Sequence, residues 1–406
     1  MKALVYHGPG ERGWDTVDDP TIIDPTDAIV RIHTSTICGS DLHILKGDVP
    51  ETLPGTILGH EAVGTVVEIG SAVTTVTPGD RVLLSCVSAC GRCRYCKEAR
   101  YGQCLGGGGW IFGHTINGLQ AELARVPFAD NSVYKFPETL GDEQVLFLAD
   151  ILPTAFEVGV RNGMISPGDT VAIVGAGPVG LAAILTAKLY TPGRIVSIDL
   201  ADSRLESALR FGADITINNG REDPLALTME MTDGLGVDVA LEAVGVPQTF
   251  ELAAALIRPG GRVANIGVHG HSATLHLETL WTRDVTITTG LVDTYQHPAT
   301  AAADHQRSAR PVPVRDAPLR ARGHDGRLRH LRRRRQHRCT EDRPPGSRKQ
   351  NLGHAASWRP RCALSSAEAR RTRHPAVVAL PVLRFGFGHV GGGGSGCRWL
   401  RSESPY

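Results

Sequence analysis

The sequence predicts an α/β chain in which an all-β region precedes a doubly wound parallel sheet, with a C-terminal segment of different character. Three observations carry this. Short β-branched runs between Gly, Pro and Asp turns fill residues 1–152. From Ile165 apolar strands alternate with helical stretches, the pattern of βαβ units. A glycine turn, Gly175-Ala176-Gly177-Pro178-Val179-Gly180, joins the first of those strands to the helix that follows.

In the first region the runs are Ala28–Ile32, Gly64–Ile69 and Arg81–Leu84, with Pro54-Gly55 and Pro78-Gly79-Asp80 as turn signals. A partly open β-barrel is expected there, decorated by a cysteine-rich lobe over residues 86–109. Over residues 153–295 six strands are expected: Thr170–Val174, Arg194–Asp199, Ile215–Ile217, Val237–Leu241, Gly261–Gly267 and Val285–Leu291. The longest apolar run, Val171 to Ala187, is broken by Gly175, Gly177, Pro178 and Gly180. It reads as a buried strand, a turn and a helix rather than a membrane span, which needs about 20 apolar residues. Residues 1–8 contain no apolar leader core, so no signal peptide is read and a cytoplasmic protein with reduced thiols is expected.

Past Gln296 neither a strand nor a helix period survives; Leu331–Arg338 and Arg343-Pro344-Pro345-Gly346 typify the segment. From residue 301 onward there are 22 Arg, one Lys and seven acidic residues, a net +16 against −15 for residues 1–300. The overall charge of +1 therefore hides two opposite parts. Such a segment buries too little apolar surface to offset the entropy of ordering it, so residues 296–406 are expected to be disordered.

Of nine cysteines, six precede residue 105, clustered as metal ligands are and not spread as in a secreted disulfide domain. Cys90, Cys93, Cys96 and Cys104 have the spacing of a closed all-thiolate zinc site. A second constellation is open. Catalytic zinc takes three protein ligands and keeps one free position. Cys38 and His60 supply two, and Asp150, in Leu148-Ala149-Asp150-Ile151-Leu152, is the best-placed third. Glu61 is either an exchangeable ligand or a group that orients one.

In the glycine turn, Gly175 permits the tight bend, Gly177 lets the backbone approach a pyrophosphate, and Gly180 allows close helix–strand packing. The helix-like run Leu181–Leu185 follows, its N-terminus facing the phosphates, and Pro178 and Val179 of the turn are also expected to bind the coenzyme. Asp199 ends the next strand, where a carboxylate accepts from the ribose hydroxyls and repels a 2′-phosphate, favouring NAD; Arg204 keeps NADP open.

Cys38-Gly39-Ser40-Asp41-Leu42-His43, the pattern His60-Glu61…Gly64…Gly70, the four-cysteine lobe and the glycine turn stand in the order of the zinc-dependent medium-chain alcohol dehydrogenase family, which residues 1 to about 295 resemble. The resemblance implies a GroES-like catalytic domain and a Rossmann domain. It implies catalytic zinc on Cys38, His60 and Asp150, structural zinc on the four cysteines, and reversible NAD-linked hydride transfer from small primary or secondary alcohols. Ser40 would accept the alcohol proton and His43 would pass it through the ribose to solvent. An Asp at 150 and a Trp at 110 resemble the secondary-alcohol branch, with Trp110 in a small apolar pocket, although part of that branch lacks the lobe. A polyol dehydrogenase shares zinc and NAD, and homo-oligomers are expected from the family.

The family's return of the chain to the catalytic domain is not recognisable after Thr294. The Arg:Lys ratio favours a shifted reading frame, and with it an impaired enzyme, over a basic tail that binds nucleic acid through phosphates.

Overall fold

The computed structural model describes residues 1–294 and the backbone of the two-residue strand Leu383–Arg384. The expectations for residues 296–406 otherwise lie outside the described residues. Among the described residues no helix is long and apolar enough to cross a membrane.

The chain opens with a hairpin, β1 (Lys2–Gly8) and β2 (Glu11–Thr16). Five further strands follow: β3 (Ala28–Ser35), β4 (Ala62–Ile69), β5 (Arg81–Leu84), β6 (Leu123–Val126) and β7 (Val133–Lys135). They pair antiparallel in the order β3-β4-β5-β7, with β6 also on β3. Leu383–Arg384, the last strand in chain order (β14), pairs antiparallel with the end of β3. The barrel interior holds Val30, Ile32, Val66, Val82, Leu84 and Phe112, all essentially without exposure. Shifts in the β3–β4 register between Ile29 and Val30 and between Ile32 and Thr34 bend the sheet. This is the GroES-like barrel.

The second sheet is parallel, in the order β10-β9-β8-β11-β12-β13. Its strands are β8 (Thr170–Val174), β9 (Arg194–Asp199), β10 (Ile215–Asn218), β11 (Val237–Glu242), β12 (Ile257–Asn265) and β13 (Thr286–Thr289). Along β8, Val171 and Ile173 enter one core while Ala172 and Val174 enter another, so alternate residues face opposite layers of helix. Each such fully buried Val or Ile contributes about 1.5–3 kcal/mol. The strand order reverses between β8 and β11, the switch point where a doubly wound sheet binds its ligand.

Several boundaries differ from expectation by one to four residues, two of them near the cleft or with a physical cause that can be named. β12 starts at Ile257, not Gly261, because a register shift against β11 absorbs Arg258-Pro259-Gly260-Gly261 as part of the strand. β13 is confined to Thr286–Thr289, leaving Gly290–Thr294 without regular structure.

Candidate metal and dinucleotide sites

Cys38 sits in extended backbone between β3 and helix α1 (Gly39–Lys46), and Asp41 in the first turn accepts from its backbone N–H at 2.8 Å. His60 and Glu61 immediately precede β4. The turn before them needs Gly59, which has φ +93° and where a Cβ would strike Gln120. In chain order two one-turn helices follow, α2 (Arg94–Lys97) in the lobe and α3 (Asp142–Val145). Asp150 stands just before α4 (Ile151–Thr154), which runs on into a π-helical turn, Ala155–Arg161. Three separate stretches of chain thus converge, and one ligand atom from each of Cys38, His60, Glu61 and Asp150 lies within 4.8 Å of the others.

All four are buried. His60 Nε2 is 3.2 Å from an Asp150 oxygen and Nδ1 is 3.4 Å from Asp41. Neither approach has hydrogen-bonding geometry, so both ring nitrogens are buried without a partner, as are both carboxylate oxygens of Glu61. Leaving such groups unsatisfied costs about 1–3 kcal/mol each. The Asp150 carboxylate is oriented: Thr154 donates to one oxygen, while the other faces the Cys38 sulfur at 3.8 Å.

Burial, then Asp150, pushes the Cys38 thiol up to about 11. Burial, then Asp150, also raises the Glu61 carboxyl well above its ordinary range. Burial opposes the His60 cation, but Asp41, Asp150 and Cys38 together outweigh it and hold the imidazole well above its usual value. Burial likewise works against the Asp150 carboxylate, and His60 overrides it downward. A divalent cation reverses this order, favouring thiolate, neutral imidazole and carboxylate together. Soft sulfur, imidazole and carboxylate around one point, with orphaned nitrogens and oxygens, fit zinc.

In the lobe, Cys93 precedes α2, and its sulfur accepts from the backbone N–H of Cys96 at 3.5 Å and of Leu105 at 3.3 Å. Cys104 sulfur accepts from Cys90 and Gly106, both at 3.3 Å. Sulfurs ringed by backbone donors favour thiolates, and the Cys96 N–H heads the causes that bring Cys93 down to about 6. Gly106 must lack a side chain, since a Cβ would lie 2.5 Å from the Cys90 sulfur. The four ligand atoms lie within 4.8 Å of one another, and this set fits a closed zinc site.

Gly175 takes φ +100° at the end of β8. Helix α5 (Pro178–Ala187) begins at Pro178, earlier than its apolar run suggests, because proline's fixed φ suits the first helical position. A Cβ at Gly180 would overlap the Gly175 carbonyl oxygen; at Gly177 it would meet nothing within 4 Å. That open face is the cradle a pyrophosphate needs. Asp199 ends β9. One carboxylate oxygen accepts from Ala176 N–H at 2.8 Å, and the other from Ala201 N–H at 2.9 Å and Arg204 Nε at 3.0 Å. Asp199 thereby ties the glycine turn to the start of the segment after β9.

The two sites share a cleft lined by Cys38, His60 and Asp150 on one side and Val179 on the other. Ser40, on α1, also lines it, its Oγ 3.8 Å from the Cys38 sulfur. His43, one turn later, bonds through Nδ1 to Asp48 at 2.7 Å. Trp110 lines it as well, edge-on to His60 with ring centroids 6.1 Å apart and stacked on His114 at 4.4 Å. Sequence reasoning missed Asp41, Asp48, Cys86 and Thr154. Asp41 lies inside the quoted Cys38–His43 motif and Thr154 stands one helical turn past Asp150; Cys86, a buried thiol on the cleft wall, carries no local signal.

Known proteins align with both halves. The family model "Alcohol dehydrogenase GroES-like domain" matches residues 24–138, and "Zinc-binding dehydrogenase" matches residues 178–304. An alcohol dehydrogenase of Cupriavidus necator is 40% identical over 293 residues, covering 68% of this chain and 79% of that protein. The solved zinc-dependent alcohol dehydrogenase 2 from Streptococcus pneumonia, in its apo form, is 50% identical with a TM-score of 0.72, over 75% of this chain and 88% of that one. A zinc-binding dehydrogenase from Sinorhizobium meliloti, solved with NADP bound, is 28% identical with a TM-score of 0.66, over 75% and 88% of the two chains.

Proposed function

The chain belongs to the zinc-dependent medium-chain alcohol dehydrogenase family, and from that premise we propose that it oxidises small primary or secondary alcohols reversibly to aldehydes or ketones with NAD. The observation that carries this is the convergence of Cys38, His60 and Asp150, with Glu61 clustered against them, in the cleft that the dinucleotide turn reaches through Val179.

Cys38, His60 and Asp150 would hold catalytic zinc, with Glu61 exchangeable or orienting, and Cys90, Cys93, Cys96 and Cys104 would hold structural zinc. Bound at the open site, zinc supplies stabilisation of negative charge on the substrate oxygen. The Ser40 hydroxyl accepts the proton that the alcohol loses, and His43 carries it toward solvent. Asp48, accepting from His43 Nδ1, leaves Nε2 for that relay. Gly175, Gly177, Pro178, Val179, Gly180, Asp199 and Arg204 would hold the dinucleotide, whose nicotinamide would supply the hydride acceptor. Apolar lining by Val87, Trp110, Leu291 and Val292 supports a small monohydric alcohol over a polyol, whose extra hydroxyls would find few partners there.

The test is metal analysis of the purified chain with an alcohol panel run on NAD and NADP. Two equivalents of zinc and turnover of propan-2-ol or ethanol are expected. A zinc-loaded chain that oxidises sorbitol and neither small alcohol sinks the substrate assignment.

Coenzyme choice has its own prediction. NADP is expected to give a lower kcat/KM than NAD, and Asp199→Asn to narrow the gap by about tenfold, the equivalent of about 1.4 kcal/mol. Asparagine removes the charge and keeps a single oxygen acceptor, so one of the Ala176 and Ala201 N–H groups, which bond to different oxygens of Asp199, loses its partner; the comparison is therefore made on the NAD:NADP ratio, in which that common loss cancels. An unchanged NAD:NADP ratio in that variant would move the discrimination elsewhere.

A further inference from the structure

Between β13 and residue 295 the chain runs through Gly290–Thr294 in no strand or helix, yet Val292 and Thr294 are only 2% and 1% exposed. Gly290, Leu291 and Val292 line the cleft. With no ladder to set its path, the pose of this wall comes from specific anchors.

Three anchors are present. From the cysteine lobe, Gly102 donates its backbone N–H to Asp293 Oδ1 at 3.0 Å, two residues before the ligand Cys104. Gly102 also presses against the wall, since a Cβ there would lie 2.6 Å from the Val292 carbonyl oxygen and 3.1 Å from the Leu291 side chain. From the π-helical turn, Glu157 accepts the N–H groups of Asp293 at 2.8 Å and Thr294 at 3.2 Å. From the end of β5, Ser85 Oγ pairs with Thr294 Oγ1 at 2.8 Å in a buried contact.

We infer that the four-cysteine lobe, through Gly102 and Asp293, positions the Leu291–Val292 wall of the substrate cleft and so sets which alcohols fit. The lobe's metal then acts on selectivity at a distance, by fixing the backbone that donates to Asp293. Asp293 and Glu157 are positioning residues; neither is assigned contact with substrate. The selectivity part rests on the dehydrogenase reading above, whereas the mechanical part does not.

The mechanical part is tested by hydrogen exchange with mass spectrometry on the full chain. Asp293→Ala is expected to speed exchange across residues 290–294 and 100–106 by about fivefold or more, the scale of one lost hydrogen bond. Asp293→Asn keeps an oxygen acceptor and is expected to restore the parent pattern. Cys96→Ser, which empties the lobe, should reproduce the faster exchange at 290–294 with the Asp293 side chain intact. The kinetic arm compares ethanol, propan-2-ol, cyclohexanol and benzyl alcohol. In Asp293→Ala, KM for the bulkier alcohols is expected to shift about fivefold relative to ethanol, with kcat for ethanol within about twofold.

Unchanged exchange at 290–294 in both Asp293→Ala and Cys96→Ser overturns the inference. Faster exchange with an unaltered alcohol profile overturns its selectivity part. Should the parent chain oxidise no alcohol, the dehydrogenase reading fails while the exchange result still decides the anchor.

Discussion

Replacing Cys38 with alanine is expected to leave one equivalent of zinc where the intact chain is expected to hold two, and to lower kcat/KM for alcohol oxidation by at least about a thousandfold. The size follows from the site's construction. Cys38, His60, Glu61 and Asp150 are all buried, and the ring nitrogens of His60 and oxygens of Glu61 have no hydrogen-bond partner. Removing the sulfur takes away the softest donor and leaves the carboxylates crowded around a weaker centre. Asp150→Asn should fall between: an oxygen donor stays and Thr154 can still hold it, but the charge is gone. Zinc content by atomic emission, read beside turnover, separates lost metal from lost fold. Full activity in a Cys38→Ala chain with a single equivalent of zinc would remove this cluster from the chemistry.

The same experiment has a pH arm. With no cation bound, Cys38 is pushed up to about 11 by burial and then Asp150, and His60 is held above its ordinary value despite burial. Both therefore hold protons at neutral pH and must release them to ligate. Raising pH supplies deprotonated donors, so zinc affinity at this site should rise with pH and fall toward acid, by about tenfold per unit for each proton displaced. Calorimetry of the stripped chain in buffers of differing ionisation enthalpy counts those protons. Uptake that is flat between pH 6 and 8 would mean the donors are already deprotonated.

What could be read from the sequence divides along a physical line. The lobe ligands and the glycine turn are local: their chemistry depends on spacing within a few residues, so the motif nearly is the site. The strands of the parallel sheet were legible because burial on both faces writes continuous apolar runs such as Val171–Val174. The start of β12 was not, because Pro259-Gly260-Gly261 has the composition of a turn and only the pairing of Ile257 and Arg262, on either side of it, with β11 draws it into the strand. Asp41, Asp48, Thr154 and Cys86 act through side-chain geometry fixed by tertiary packing. Asp41 needs the approach of His60, and Cys86 needs the chain after β5 to meet Ala149 and Asp150, neither of which has a periodicity to announce it. The Gly102–Asp293 anchor joins the lobe to the end of the second sheet, a long-range contact that no local pattern encodes.

Gly177 and Gly180 stand three residues apart in one turn, yet the same substitution should do opposite things to them. At Gly177 the backbone is in ordinary extended space, φ −70° and ψ −175°, and an added Cβ meets nothing within 4 Å. Gly177→Ala is therefore expected to fold with an unchanged Tm. Its methyl would instead occupy the space into which a pyrophosphate must come, a steric conflict of about 1–3 kcal/mol, or about 5- to 150-fold in Kd for NAD. At Gly180 the methyl runs into the carbonyl oxygen of Gly175, which is backbone and cannot rotate away. Gly175 is itself pinned, at φ +100° with the Val244 side chain 2.6 Å from where its own Cβ would lie. Gly180→Ala must then separate α5 from β8, and a loss of stability of about 1–3 kcal/mol or more is expected, with weaker coenzyme binding as its consequence. Thermal unfolding with and without NAD distinguishes the two: the Gly177 variant loses only the stabilisation that the ligand adds, the Gly180 variant starts lower without it. If Gly177→Ala binds NAD as tightly as the parent, the dinucleotide phosphates do not lie against this turn, and the pairing of coenzyme with the metal cleft falls with it.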